Sequence, residues 1–157
     1  MPAEPAERAF DLPDEEATAA LARGLAPCLR PGDLVALGGD LGAGKTAFAR
    51  ALVRALTYPD EEVPSPTFTL VQTYDGANGA IWHFDLYRLH GPEEVVELGW
   101  EEARGAICLV EWPDRLGFLL PADRLDLHLS VRGPTARRAA LTGHGAWASR
   151  LGSLEAP

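Results

Sequence analysis

The sequence predicts one α/β domain with a mixed sheet: parallel strands at the core, antiparallel hairpins beside them, and helices on the flanks. Three observations point there. Residues 34–37 (LVAL) and 106–110 (AICLV) are short, wholly apolar runs, as expected of strands buried on both faces. Other segments alternate apolar and polar residues and are joined by glycine-containing turns. Between them lie stretches with helical spacing of apolar residues.

Residues 8–12 (RAFDL) alternate enough for a first strand. Pro13 and Asp14 open a helix, with Asp14 as its cap and Glu15 and Glu16 in the first turn, where the helix dipole favours acids. Leu21, Ala22 and Leu25 form its apolar stripe. Pro31-Gly32-Asp33 turns into the buried strand 34–37, and a glycine-rich loop leads to a helix over 46–56. Phe48, Ala49, Leu52, Val53 and Leu56 face inward on it.

Residues 57–66 are polar and broken by proline, so they read as a loop. Strands are expected over 67–74 and 80–86, with a five-residue turn, Asp75-Gly76-Ala77-Asn78-Gly79, between them. A short acidic helix covers 92–98, and residues 100–103 continue or follow it. After the buried strand 106–110, residues 125–131 alternate through Leu125, Leu127, Leu129 and Val131. Gly133-Pro134 turns that strand back into a last one over 138–141, and the tail from Trp147 is expected to be helical. The whole reads as a single domain over 1–157, with its core over about 8–142.

Bulk properties exclude several function classes. No segment approaches the ~20 apolar residues of a membrane span, and the N-terminal MPAEPAERAF has no apolar signal region. A cytoplasmic protein without membrane contact is expected. Cys28 and Cys108 stand far apart and read as small core hydrophobes, not as a disulfide or zinc site. A net charge of −9 makes the chain a poor direct binder of a nucleic-acid backbone. Thirteen of its fourteen basic residues are Arg, and the one lysine is Lys45.

That lysine lies in a motif. Residues 39–46 (GDLGAGKT) match G-x-x-x-x-G-K-[ST], between a buried strand and an amphipathic helix. This is the phosphate loop of a P-loop NTPase domain. Asp40, Leu41, Gly42, Ala43, Gly44, Lys45, Thr46 and Ala47 are its candidate nucleotide contacts. Glycines let the backbone approach an anion at positive φ, and the loop N–H groups and helix dipole favour negative charge. Lys45 reaches the β- and γ-phosphates, while the Thr46 hydroxyl is one Mg²⁺ ligand. A second ligand is expected from a carboxylate ending a neighbouring strand. Glu111 and Asp85 both qualify; Glu111 is favoured for the metal, and Asp85 for orienting water or supporting the metal from outside its ligand set. His83 beside Asp85 reads as a satisfied, half-buried histidine.

Guanine recognition through Asn/Thr-Lys-x-Asp is ruled out by the single lysine, so ATP is favoured over GTP. Arg104, Arg115 and Arg124 are too scattered for the arginine-rich lid of a nucleotide kinase.

With the blocks 65–71 (SPTFTLV), 83–89 (HFDLYRL) and 107–113 (ICLVEWP) added to the phosphate loop, the chain resembles the TsaE family over roughly residues 10–141. These are small bacterial ATPases required for threonylcarbamoyl modification of adenosine 37 in tRNA. The resemblance implies ATP as nucleotide, Mg²⁺ held by Thr46 and Glu111, and an essential Asp85. It implies slow hydrolysis by the chain alone, stimulated by a TsaB–TsaD complex through which tRNA is reached indirectly. It makes Lys45, Asp85 and Glu111 the catalytic set. Thr67 becomes a sensor of the γ-phosphate or a partner contact, with a proline-shaped strand entrance as the competing reading. Asp14 and Thr18 become base-side contacts, and Arg137 a residue closing over the nucleotide. Trp112 stacks near the nucleotide or packs beneath the loop. Ala47 departs from the family pattern, which often has a second hydroxyl there. A nucleotide-gated binding module and a small-molecule kinase are the rival readings.

Overall fold

The computed structural model describes residues 4–40 and 42–157. Seven strands form one sheet: β1 (Ala6–Leu12), β2 (Leu34–Gly39), β3 (Val71–Gly76), β4 (Gly79–Asp85), β5 (Ile107–Glu111), β6 (Arg124–Val131) and β7 (Arg137–His144). Their order is β1-β7-β6-β2-β5-β4-β3. β6, β2, β5 and β4 run parallel, whereas β1, β7 and β3 join antiparallel at the flanks.

The apolar runs are explained by their position. Along β2, Val35 and Leu37 enter one core, under helices α1 (Glu15–Leu25) and α2 (Lys45–Leu56). Leu34 and Ala36 enter a second core on the opposite face with Phe84, Trp100 and Leu116. β5 divides likewise, with Ile107 and Leu109 on one side and Cys108 and Val110 on the other. A strand covered on both faces has no polar side to alternate with.

The parallel core is larger than the two apolar runs suggest. β6 alternates because its face bearing Leu125, Leu127 and Leu129 is buried while Asp126 and His128 face away. That pattern announces the pairing with β7 but not the parallel pairing with β2. The expected strand over 67–74 is shortened at its start: residues 66–69 form a turn, Leu70 takes φ 71°, and pairing begins at Val71. Pro64 and Pro66 have no N–H to offer a ladder, and the Leu70 N–H donates to the Pro66 carbonyl at 2.6 Å. The following turn is tighter than five residues. Gly76 pairs with Gly79, leaving Ala77-Asn78 as a two-residue hairpin loop.

The expected acidic helix over 92–98 is α3 (Pro92–Val96), and residues 100–103 follow it as a separate α4 (Trp100–Ala103) because Gly99 sits at φ 93°. α5 (Trp147–Arg150) follows β7. Trp147, Leu151 and Leu154 are buried in the core beneath α1 and α2. Arg150 clasps this segment to the turn before β2: it donates to both oxygens of Asp33 at 2.7 Å and to the Cys28 carbonyl at 2.6 Å. The Asp33 hydrogen bonds raise the guanidinium pKa against the opposing effect of burial. Arg8 of β1 donates to the Leu151 and Leu154 carbonyls. No helix among the described residues is long and apolar enough to cross a membrane.

Both cysteines are free. Burial pushes the Cys108 thiol up to about 11, only partly offset by the Arg104 guanidinium, whereas Cys28 is half-buried. A thiolate is the reactive species, so iodoacetamide at pH 8 is expected to modify Cys28 in the native protein and Cys108 only after unfolding. Mass spectrometry of the digested, alkylated protein checks this; rapid native labelling of Cys108 contradicts the packing described.

Candidate functional site

β2 delivers the chain to a glycine-rich loop from which α2 starts. Gly39, Gly42 and Gly44 have φ of 130°, 81° and 101°. Gly44 is the N-cap of α2 in the left-handed region, which favours a residue without Cβ. Among the described residues, nothing lies within 4 Å of a Cβ placed on Gly42 or Gly44, so on their side the mouth of the loop is open. Gly39 differs: its Cβ would meet the Leu129 carbonyl oxygen at 2.3 Å. The twelve residues of α2 aim the positive end of their dipole at the loop. Leu41 lies outside the described residues, Asp40 is exposed, and Thr46 and Ala47 are half-buried on the first turn of α2.

Lys45 is buried at 6% exposure. Its Nζ donates to the Gly39 carbonyl at 2.7 Å and lies 3.9 Å from the centre of the Trp112 ring. Trp112 takes φ 59°, turning the chain sharply as it leaves β5. Its ring also packs against Tyr87, with centroids 4.9 Å apart. The indole therefore covers the loop lysine.

Two carboxylates end the parallel strands beside β2. Asp85 of β4 is in register with Glu111 of β5, and Glu111 with Leu37 of β2. Both acids are buried. Asp85 Oδ2 accepts from the Thr67 hydroxyl at 2.8 Å, and Oδ1 from the Tyr87 N–H at 3.0 Å. The Ser65 hydroxyl is 2.9 Å from that of Thr67. Thr67 thus ties the loop before β3 directly to Asp85.

His83 is not half-buried: it is 1% exposed, with Nε2 at 2.7 Å from Glu111 Oε2. Nor is it fully satisfied. Nδ1 is buried with no hydrogen-bond partner among the described residues, a condition that costs about 1–3 kcal/mol. Sequence reasoning missed the pairing with Glu111; the one signal was the shared alternation of His83 and Asp85.

A cleft of about 220 Å³ opens beside the loop. It brings together Asp14, Thr18 and Arg137 with Gly44 and Ala47. Asp14 also caps α1, accepting from the Ala17 N–H at 2.9 Å. Arg137 donates to the Gly42 carbonyl at 3.3 Å, bridging cleft and loop. Glu15, Pro134 and Thr135 complete the wall; sequence reasoning gave residues 133–134 only a turn.

Arg104, Arg115 and Arg124 are engaged elsewhere, with the Gly32 carbonyl, Asp114 and Asp126. They form no lid over the loop. Among the described residues, no three His, Cys, Asp or Glu side chains cluster as a metal cage. Glu111 offers a carboxylate at the end of β5, and Thr46 a hydroxyl on the first turn of α2. Magnesium is commonly held by one or two protein oxygens together with phosphates and water, so this sparse donor set fits it.

Against known proteins, the family model described as threonylcarbamoyl adenosine biosynthesis protein TsaE matches residues 12–139. The chain belongs to the TsaE family. A tRNA threonylcarbamoyladenosine biosynthesis protein TsaE from Rickettsia felis is 41% identical over 146 residues, covering 92% of this chain and 85% of that protein. The TsaE protein of the same description from Bacillus subtilis is 36% identical over 133 residues, covering 83% and 82%. The crystal structure of Bacillus subtilis YdiB superposes with a TM-score of 0.79 at 29% identity, covering 97% of this chain and 96% of that one. In this TsaE-family chain, the loop, both strand-end acids and the cleft all lie within the matched span.

The contact of Gly39 with β6 yields a test of loop geometry. Gly39→Ala forces a backbone clash and is expected to destabilise by about 1–3 kcal/mol or more, whereas Gly152→Ala meets nothing within 4 Å among the described residues and is expected to be near neutral. Urea denaturation of both variants decides; a neutral Gly39→Ala contradicts the close approach.

Proposed function

We propose that this chain is a Mg²⁺-dependent ATPase subunit of the tRNA threonylcarbamoyladenosine machinery, acting on a TsaB–TsaD complex and meeting tRNA through that complex. The observation that carries the reading is the placement of Lys45, at an open glycine loop and helix N-terminus, on the same sheet end as Asp85 and Glu111. Membership of the TsaE family supplies the biological setting.

The loop N–H groups and the α2 dipole bind the phosphate tail. Lys45 already donates to a neutral carbonyl at the loop, and an anionic phosphate is the stronger acceptor. Thr46 and Glu111 would hold magnesium, which when bound neutralises charge on the β- and γ-phosphate oxygens. Asp85 places the attacking water. Two of its lone-pair positions are taken by Thr67 and the Tyr87 N–H, and a carboxylate has about four. Asp14, Thr18 and Arg137 line the cleft offered to the nucleoside, together with Ala47. Trp112 shields the lysine. No arginine among the described residues is placed against Asp85 or Glu111 by a hydrogen bond, which accords with slow turnover by the isolated chain.

The Thr67–Asp85 hydrogen bond favours a second reading, a nucleotide-gated binding module in which the loop's state matters and turnover is incidental. Asp85→Ala separates the two. On the ATPase reading it binds ATP, releases little phosphate and fails to support repeated modification; on the gated reading it still supports modification.

Phosphate release from ATP is expected to be slow for the chain alone, magnesium-dependent, and faster with TsaB–TsaD added. Removing a charged donor costs about 1.5–3 kcal/mol, so Lys45→Ala is expected to weaken ATP binding roughly 10- to 100-fold. Calorimetric titration checks the affinity, and unchanged binding overturns the nucleotide site.

A further inference from the structure

A magnesium-side carboxylate at Glu111 leaves open why a histidine is sealed against it. His83 lies opposite Leu109, and Asp85 opposite Glu111, in the parallel β4–β5 ladder. His83, Asp85, Leu109 and Glu111 therefore share one sheet face, with His83 and Glu111 as diagonal neighbours. That face belongs to the core beneath α2, which includes Ile81, Ile107 and Leu109. A carboxylate only accepts, so the imidazole donates from Nε2 to Glu111 Oε2 across 2.7 Å. No hydrogen bond to Glu111 Oε1 is found among the described residues. Among the described residues the ring makes this one hydrogen bond and leaves Nδ1 orphaned. An aliphatic residue would fill the same space without stranding a nitrogen, so packing alone does not account for an imidazole here.

We propose that His83 is a positioning residue. It clamps Glu111 through Oε2, fixes the carboxylate plane and leaves Oε1 as the single oxygen for magnesium. The inference rests on the assignment of Glu111 to the metal made above. Groups that hydrogen-bond a metal ligand from behind orient it, and losing one typically lowers metal affinity 10- to 100-fold.

The test is a magnesium titration of the binding of a non-hydrolysable ATP analogue by calorimetry, with metal-free analogue affinity and thermal midpoint measured alongside. His83→Leu is expected to raise the magnesium half-saturation concentration 10- to 100-fold while leaving metal-free affinity within about two-fold. His83→Gln, which places an amide donor near the Nε2 position, is expected to recover most of the loss. His83→Asn, whose donor falls nearer Nδ1, is expected to recover little. A Glu111→Gln arm separates this idea from the one beneath it. Should Glu111→Gln leave the magnesium dependence unchanged, the assignment of Glu111 to the metal fails. Should Glu111→Gln shift it while His83→Leu does not, the positioning role alone fails. Equal losses of metal-free and magnesium-dependent affinity with a lowered thermal midpoint would mean a structural histidine and also overturn the role. If His83→Leu does not fold, the comparison of Gln with Asn decides, and equal half-saturation for the two refutes the clamp.

Discussion

The parallel pairing of β2 with β5, and of β5 with β4, is the constraint on which the site depends. Parallel strands end on the same side of a sheet, so Gly39, Glu111 and Asp85 arrive together although they are far apart in sequence. Helix α2 can then leave β2 directly, with its N-terminus above those ends. β2 is gripped on both sides, by β5 and β6, and Gly39 touches the β6 backbone at Leu129. The loop is thus mounted on a strand enclosed by neighbours on both sides.

Several polar groups of this region are buried in their resting arrangement, and each has a partner of a different kind. Lys45 has a carbonyl and an indole face, Asp85 a hydroxyl and an N–H, and Glu111 an imidazole. The backbone is bent to allow it, with Leu70 and Trp112 both at positive φ. Non-glycine residues adopt that region at a steric cost, and such cost tends to gather where function requires it. Leu70 also accepts from the Asp85 N–H through its carbonyl at 2.9 Å. The turn carrying Thr67 and the strand end carrying Asp85 are therefore joined by both side-chain and backbone contacts.

What could be read from the residues alone was whatever their chemistry expresses locally. The phosphate loop was legible because glycine, lysine and threonine act within one short stretch, flanked by a buried strand and an amphipathic helix. Asp85 and Glu111 were legible as acids at the ends of apolar strands. The His83–Glu111 contact was not, because it depends on the register of two strands 28 residues apart. The strand start at Val71 was missed because Leu70 gives no compositional sign of its left-handed backbone. β6 disclosed its buried face but not its second neighbour. Asp14, Thr18 and Arg137 were named through family resemblance, and the fold supplies the reason they meet: α1, α2 and the turn before β7 border one cleft.

The clasp between Arg150 and Asp33 bears on how the folding unit is delimited. The family model ends at residue 139, yet Trp147, Leu151 and Leu154 fill the core under the first two helices, and Arg150 anchors the corner that launches β2. A polypeptide trimmed to residues 12–139 would lose those anchors and strip an inner surface bare. The stretch beyond the family model therefore acts as a keystone for the phosphate loop's own strand.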